Sequence, residues 1–429
     1  MENVTARPSS DASETQKTQT GALITLTSLF FMWGFVTVLN DIVSPHLQSI
    51  FNLSYKQASL VQFAFFFAYF IFSIPAAKLI DATSYKTSIV VGLLTTGIGA
   101  FLFIPAASAA SYALFLGALM VLAAGITVLQ VAANPYVAVL GPPKTASSRL
   151  NLTQAFNSLG TTIGPWIGGI FILTTTALGS EQLKLLSPEA LQVYKVEQAS
   201  SVKTPYLFIG LLLVALAVVM YFLRLPSIPE AQKKGHTPGV SLWKYPHLVL
   251  GVVGIFVYVG AEVAIGTFLI KYFQLREIGN LPEAQGAKLV AYYWGGAMIG
   301  RFIGSAILQK VKAGTVLGIA AFYACGLVLT SMITSGHVAM ATIILVGFFN
   351  SIMFPSIFTL GIANLGPLTG DGSGLLIMAI VGGAIIPLLF GALADMPAIG
   401  LHHAFILPAI CYLYIAYYGL RGSRPREIQ

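Results

Sequence analysis

Charged residues are scarce in this sequence. Asp, Glu, Lys and Arg together make up 9% of the 429 residues, whereas hydrophobic residues make up 56%. A soluble domain typically carries about 25% charged residues, because its surface must be solvated. The scarcity of charge excludes a soluble globular protein and predicts a chain that crosses a membrane many times.

Sequence patterns of several other protein classes are also missing. The two cysteines, Cys325 and Cys411, lie in apolar runs outside any CxxC pair, so neither a disulfide nor a metal site is predicted. HExxH, GxSxG, a Walker loop and a GxGxxG after a strand are absent. The basic residues behind the net charge of +8 are dispersed rather than gathered in a stripe, which argues against nucleic-acid binding. We therefore predict neither an enzyme nor an ATP-driven pump, and no cofactor.

Long apolar runs are what the sequence has instead. A helix needs about 20 residues to cross the hydrocarbon core, and the runs that reach this length predict an all-α membrane protein with twelve transmembrane helices. The predicted spans are 21–48, 57–80, 87–107, 112–139, 147–176, 204–224, 247–272, 286–309, 314–334, 338–362, 370–393 and 403–421. Residues 1–20 are polar and lack an apolar run ahead of a cleavage site, so they predict a disordered cytoplasmic tail rather than a signal peptide.

Three short patterns of the first half recur in the second half of the chain. The matched segments are FVTVLND and FVYVGAE, PYVAVLG and PSIFTLG, and GTTIGP and GGAIIP, all at offsets of 220 to 222 residues. A constant offset predicts a duplicated six-helix half, and transporters built from such repeats bind substrate and ions between the halves. The predicted domains after the tail are a first bundle, 21–224, a cytoplasmic linker, 225–246, a second bundle, 247–421, and a cytoplasmic tail, 422–429.

The basic residues are distributed unequally between the two sides of the predicted membrane. Sixteen of the 23 Lys and Arg residues, Arg301 among them, fall on the side of the N terminus. Because loops rich in Lys and Arg remain on the cytoplasmic side, we predict that both termini are cytoplasmic.

Two of the fifteen acidic residues, Asp41 and Glu262, fall well inside a predicted span. An ionised acid at that depth costs at least ~2.5–3.5 kcal/mol, so such residues usually face a polar cavity. The two acids also occupy matching positions of the repeat. We predict that both serve the function of the protein, while pairing of Asp41 with Lys56 at a helix end stays open as an alternative.

Amide side chains form a second polar set within the spans. Gln130 and Asn350 each precede a proline by five residues at equivalent repeat positions, and a stripe of three amides follows on the fifth span. Buried amides need hydrogen-bond partners, and sugar hydroxyls can donate and accept; a bond between two helices is the alternative. The candidate substrate-binding residues are Glu262, Gln130, Asn350, Asn40, Asn134, Asn151, Gln154 and Asn157, with the aromatic residues Trp33, Tyr258 and Trp294, whose rings can stack on a sugar or simply pack.

Several of these segments together resemble a known family. FFMWGFVTVLNDIVSPHL, AANPYVAVLG, RLNLTQAFNSLG, YVGAEVAIGTFLIKYF, IGRFIG and FPSIFTLGIANLG are similar to the fucose/glucose–galactose permease branch of the major facilitator superfamily, and AKLIDATSYK retains Asp81 and Lys86 of a degenerate superfamily loop signature. The resemblance implies two six-helix bundles, alternating access and proton-coupled monosaccharide uptake, with Asp41 as the proton-coupling group. Gln130 stands where the fucose permease has glutamate and Glu262 where it has glutamine, which implies a glucose/galactose-type substrate.

The prediction is thus a proton-coupled importer of a glucose/galactose-type hexose in a bacterial inner membrane, acting as a monomer. Its predicted partners are the sugar, a proton and the lipid bilayer. Sodium coupling, with oxygen ligands from Asp41, Asn40 and Glu262, is an alternative, and mannose, fucose or an N-acetylhexosamine is an alternative substrate. A sugar sensor without flux and an exporter of amphipathic drugs are alternatives from other functional classes.

Overall fold

The computed structural model of the protein describes residues 18–51, 55–109, 111–172, 186–187, 189–190, 193–194, 203–223, 225 and 241–425. For residues 39–51, 55–60 and 165–172 it describes the path of the backbone and not the side chains. Most of the predicted linker, 225–246, and both predicted tails, apart from a few flanking residues, lie outside the described residues.

The described chain is built from α-helices that follow the predicted spans. The helices are α1 (Thr20–Phe51), α2 (Tyr55–Ala82), α3 (Tyr85–Ser108), α4 (Tyr112–Val139), α5 (Ala146–Ile172), α6 (Lys203–Phe222), α7 (Pro246–Gln274), α8 (Glu283–Ile307), α9 (Ala313–Ile333), α10 (Gly336–Asn350), α11 (Met353–Gly361), α12 (Thr369–Met378), α13 (Gly382–Ala394), α14 (Gly400–Ala404) and α15 (Ile406–Tyr417). Spans one to nine each form one helix, and spans ten to twelve each form two in succession. The predicted all-α fold class is confirmed.

The tenth span is interrupted between α10 and α11, at Ser351 and Ile352. Pro355 contributes to the break, because a proline ring clashes with the carbonyl group four residues earlier, which here is that of Ser351. Its counterpart in the repeat, Pro135, lies inside the continuous helix α4. The two halves therefore differ in backbone beside the cavity described below.

Two helices are less apolar than the others. Within the described residues, ten helical segments are long and apolar enough to cross a membrane by composition alone, and α5 and α8 are not among them. These two helices pack against each other across the boundary between the halves: Ser148 Oγ donates to the carbonyl of Ser305 at 2.7 Å, and Asn151 Nδ2 donates to the carbonyl of Arg301 at 2.6 Å. Their polar side chains face protein rather than lipid, which is why low hydropathy is tolerated there.

The halves meet at the end of the bundle where the N terminus lies. The hydroxyls of Ser147, at the start of α5, and Thr359, near the end of α11, are 2.5 Å apart. Ser373 Oγ on α12 donates to the carbonyl of Val131 on α4 at 2.8 Å. At this end the two bundles are joined by direct hydrogen bonds.

The retained loop residues Asp81 and Lys86 lie at the same end. Asp81 Oδ1 lies near the N-terminal turn of α12, where a Cβ on Gly370 would be 3.2 Å away. A carboxylate at a helix N-terminus is favoured by the helix dipole. Lys86 Nζ donates to the carbonyl of Tyr221, at the end of α6, at 2.7 Å. Asp81 thus lies at the boundary between the halves, whereas Lys86 makes its bond within the first half.

Glycines on α8 allow close packing against the tenth span. The four-residue spacing of Gly296, Gly300 and Gly304 predicts a small-residue contact face. A Cβ on Gly300 would collide with the carbonyl oxygen of Phe348, and a Cβ on Gly304 would collide with the side chain of Ile352. The predicted face is confirmed at both positions.

Gly300→Ala is expected to lower the free energy of unfolding by about 1–3 kcal/mol, because backbone and side-chain atoms of the tenth span must move apart. Thermal unfolding of the detergent-purified protein measures the effect. Gly295→Ala is the matched control on the same helix, since a Cβ there would meet nothing within 4 Å. Equal losses in the two variants would contradict the close contact.

Candidate functional site

A cavity of about 280 Å³ lies between the two halves. The first half contributes Trp33, Thr37, Phe65, Phe66, Tyr69, Gln130, Gln154 and Asn157, and the second contributes Tyr258, Val259, Glu262, Val263, Arg301, Phe354, Pro355 and Ile380. Small-molecule pockets usually measure roughly 300–1,000 Å³, so this cavity suits a compact ligand. Among the described lining residues, the amides come from the first half and the charged groups from the second.

Glu262 projects from α7 into the cavity and is oriented by its own helix. The hydroxyl of Tyr258, one turn earlier, donates to Glu262 Oε1 at 2.8 Å and lies 3.1 Å from the carbonyl oxygen of Asn350. Tyr258 is buried, with 1% of its surface exposed, so its ring fixes the position of the hydroxyl. The carboxylate is therefore held in place as a hydrogen-bond acceptor.

Arg301 corrects the sequence analysis, which counted it among the basic residues of the cytoplasmic side. The structure places Arg301 within α8, where it lines the cavity and its charge acts on Glu262. The sequence indicates the membrane depth of Arg301, because this residue lies inside the predicted span 286–309. Without Arg301, fifteen basic residues remain on the side of the N terminus, against seven on the other side.

The guanidinium group of Arg301 joins three elements. Its Nε donates to the carbonyl of Ser351 at 3.3 Å, at the break in the tenth span. Its Nη1 donates to the carbonyl of Gln154 at 3.4 Å and to Ser158 Oγ, both on α5. One cation therefore connects the second half to the first beside the cavity, and planar donors in a fixed fork suit this geometry.

The amides of the first half are anchored by protein partners. Gln130 Nε2 donates to the hydroxyl of Tyr69 at 2.8 Å, and Asn157 Nδ2 donates to the carbonyl of Phe30 at 2.9 Å. Gln154 Nε2 reaches Asn134 Oδ1 at 3.5 Å. Each of these amides uses its NH₂ group on the protein while its residue lines the cavity, so the walls are pre-organised.

Aromatic rings cover the rest of the first-half wall. Phe30 and Trp33 pack with centroids 5.1 Å apart, and Phe65 and Tyr69 pack edge to face at 5.7 Å. Trp33 has 7% of its surface exposed and lines the cavity. A wall of rings beside amides can cover the apolar C–H groups of a polyol and bind its hydroxyls.

The structure brings six of the predicted site residues together around the cavity. Those that line the cavity are Trp33, Gln130, Gln154, Asn157, Tyr258 and Glu262. Four others are not among the described lining residues: Asn134 contacts Gln154, Asn151 binds the carbonyl of Arg301, Asn350 binds Tyr293, and Trp294 is 44% exposed. The side chains of Asn40 and Asp41 lie outside the described part; on the described backbone of α1, Asp41 follows the cavity residue Thr37 by one turn.

Three lining residues with polar groups were not predicted: Thr37, Tyr69 and Arg301. Of these, Arg301 could have been predicted, because it lies inside the predicted span 286–309. Thr37 and Tyr69 had none, because a single hydroxyl in an apolar helix is common and the sequence does not reveal which helix face meets the cavity.

Several known proteins are similar to this chain in sequence and in fold. The Major Facilitator Superfamily model matches residues 22–387. A protein named glucose/galactose transporter from Brucella abortus is 51% identical over 426 residues, which cover 98% of each chain. The L-fucose-proton symporter of Escherichia coli is 38% identical over 401 residues, covering 91% of this chain and 90% of that protein.

Solved structures agree with the sequence matches. A crystal structure of the Escherichia coli fucose:proton symporter FucP has a TM-score of 0.86 with this chain, at 35% identity, and covers 92% of this chain and 97% of that one. FucP in the outward conformation gives a TM-score of 0.85. The resemblance to fucose and glucose/galactose permeases is confirmed: this chain is a multi-pass integral membrane protein that belongs to the Major Facilitator Superfamily.

Proposed function

We propose that this protein imports a glucose/galactose-type monosaccharide by proton symport through alternating access, in the bacterial cytoplasmic (inner) membrane. The observation that carries the proposal is the cavity between the halves, whose amides, aromatic rings and acid–base pair match a neutral polyhydroxylated ligand. Its relatives named for glucose, galactose and fucose support the substrate class.

The hydrogen bonds between the two halves fit alternating access, in which one end of the bundle is closed at a time. Their hydrogen bonds at the N-terminal end close that end of the bundle. With both termini in the cytoplasm, as the excess of basic residues favours, the closed end is cytoplasmic. FucP in the outward conformation, which superposes with this chain, supports an outward-facing state.

Each part of the cavity has a role in this proposal. The Glu262 carboxylate accepts hydrogen bonds from sugar hydroxyls, and the carbonyl oxygens of Gln130, Gln154 and Asn157 accept others. Trp33 covers an apolar face of the sugar ring. Asp41, one turn beyond Thr37 on α1, takes the coupling proton.

Arg301 has two roles in the proposed cycle. Its charge compensates that of Glu262 at the cavity wall, and its bonds to Gln154 and Ser158 hold α5 against α8. Rocking of the halves must break the bonds to α5, whereas the bond to Ser351 stays within the second half. Arg301 thus connects the sugar site to the contact that opens and closes.

Arg301→Gln is expected to weaken sugar binding by roughly tenfold or more, because Glu262 becomes a buried charge without compensation. Arg301→Lys keeps the charge but not the planar fork, so its binding should be intermediate between that of the wild-type protein and that of Arg301→Gln. The half-saturating sugar concentration in counterflow exchange measures both. Arg276→Gln, at an exposed arginine near the end of α7, is the matched control. Unchanged half-saturation in Arg301→Gln would contradict both roles.

Counterflow exchange in proteoliposomes tests the substrate class directly. Vesicles loaded with unlabelled D-galactose are diluted into labelled D-glucose, D-galactose, D-mannose, L-fucose or N-acetyl-D-glucosamine. We expect labelled glucose and galactose to enter fastest. A protein that exchanges none of these sugars is not a monosaccharide transporter, whereas one that binds them without exchange is a sensor.

A further inference from the structure

The two halves contain equivalent hydrogen bonds between an amide and a tyrosine. In the first half, Gln130 on α4 donates to the hydroxyl of Tyr69 on α2 at 2.8 Å. In the second half, Asn350 on α10 donates to the hydroxyl of Tyr293 on α8, also at 2.8 Å. Gln130 and Asn350 occupy matching repeat positions, so the two bonds join the same pair of helices in each half.

The two pairs differ in what surrounds them. Tyr69 and Gln130 both line the cavity, with 3% and 6% of their surfaces exposed. Tyr293 and Asn350 are completely buried and are not among the described lining residues. The same bond is thus presented to a ligand in one half and enclosed by protein in the other.

The geometry leaves the first pair with unused hydrogen-bonding groups. A phenol hydroxyl that accepts a bond from an amide still has its own hydrogen to donate, and the described contacts show no acceptor for that of Tyr69. The carbonyl oxygen of Gln130 is likewise an acceptor beside it. A donor and an acceptor therefore stand next to each other on the cavity wall, flanked by the rings of Phe65 and Phe66.

We propose that Tyr69 determines sugar specificity by donating a hydrogen bond to one hydroxyl of the bound hexose, while the carbonyl oxygen of Gln130 accepts from that hydroxyl or its neighbour. Adjacent donor and acceptor groups can distinguish epimers, because inverting one carbon moves the hydroxyl away from both groups. Such a site rejects an analogue that lacks the hydroxyl, since its own groups are then left unpaired. The inference rests on the proposed monosaccharide transport and assigns a hydroxyl-reading role within it.

The test combines two variants with a series of sugars. Tyr69→Phe removes the phenol hydroxyl and keeps the ring, and Tyr293→Phe removes the equivalent hydroxyl outside the cavity. Counterflow half-saturation is measured for D-glucose, D-galactose and each of their monodeoxy analogues with the wild-type protein and both variants. We expect Tyr69→Phe to raise half-saturation for the intact sugars by roughly three- to tenfold, the effect of one hydrogen bond.

The pattern across analogues identifies a direct contact. One monodeoxy analogue should bind the wild-type protein more weakly than the parent sugar and should lose nothing further in Tyr69→Phe, because both changes remove the same bond. Tyr293→Phe should lower thermal stability while every analogue keeps its wild-type ranking. If Tyr69→Phe cannot be purified in detergent, the same comparison of monodeoxy analogues is made with Gln130→Met.

Two results would overturn the inference. In one, the effects of Tyr69→Phe and of every deoxygenation simply add, which means that the hydroxyl touches no sugar oxygen. In the other, Tyr69→Phe and Tyr293→Phe raise half-saturation equally, which means that both tyrosines are structural. Failure of the wild-type protein to exchange any hexose would instead refute the proposed function itself.

Discussion

Asp41→Asn is expected to abolish accumulation of sugar against its concentration gradient while leaving counterflow exchange. A carboxylate that binds a proton from outside loses its charge, and a neutral group lowers the cost of closing the cavity around the sugar. Asparagine is permanently neutral, so the halves can still rock with sugar bound, but no proton is carried. Uptake into proteoliposomes with an acidic exterior, followed in parallel with exchange at equal pH, measures the two activities separately.

Asp395→Asn provides the control for this experiment. Asp395 is an exposed acid that follows the end of α13, so its neutralisation should change neither activity. Accumulation by Asp41→Asn at the wild-type level would refute Asp41 as the proton site. Loss of both activities would place Asp41 in sugar binding or folding instead.

Glu262→Gln is expected to impair both accumulation and exchange, because sugar binding is weakened by roughly tenfold or more and a higher sugar concentration is needed for half-saturation. The amide has the size of the carboxylate but is a weaker acceptor for hydroxyl donors. It also leaves the partly buried charge of Arg301 without compensation at the cavity wall, which is costly. Half-saturation in counterflow, or heat of galactose binding in detergent, measures the loss.

A double variant separates the two causes. Because Glu262 and Arg301 interact, the stability loss of Glu262→Gln should be partly reversed by adding Arg301→Gln, while sugar binding should not recover. Glu277→Gln, at an exposed acid after α7, is the matched control. Strictly additive effects on stability would contradict the charge pair, and wild-type binding in Glu262→Gln would remove Glu262 from the sugar site.

The Asp41 and Glu262 variants test what each half of the protein contributes to the proposed mechanism. Asp41 lies on the first repeat and Glu262 at the matching position of the second. If the predictions hold, one member of the pair couples the ion and the other binds the sugar. Duplication would then have produced two acids that now perform different steps.

Hydropathy was sufficient to predict the transmembrane helices, because crossing a hydrocarbon core requires long apolar runs. It did not predict the breaks in the last three spans, where local backbone constraints such as that of Pro355 act within an apolar stretch. The hydropathy signal was weakest for α5 and α8, whose polar residues form contacts between the halves. Such contacts depend on which helices become neighbours, and composition does not contain that information.

The repeat pointed to residues that line the cavity and to one that lies behind its wall. Glu262 and Gln130 line the cavity, as their depth and pairing indicated. Asn350, the equivalent of Gln130, instead binds Tyr293 behind the wall. Equivalent sequence positions share a fold environment, but the cavity is not symmetric, and the break at Ser351 gives the second half a different surface.

Sugar accumulation in proteoliposomes, compared under two imposed ion gradients, tests the central claim most directly. Purified protein is reconstituted, and uptake of labelled D-galactose is followed with an inward proton gradient in sodium-free buffer, then with an inward sodium gradient at equal pH. The account predicts accumulation above the external concentration with the proton gradient alone, abolished by a protonophore. Accumulation that requires sodium and persists without a pH gradient would contradict it.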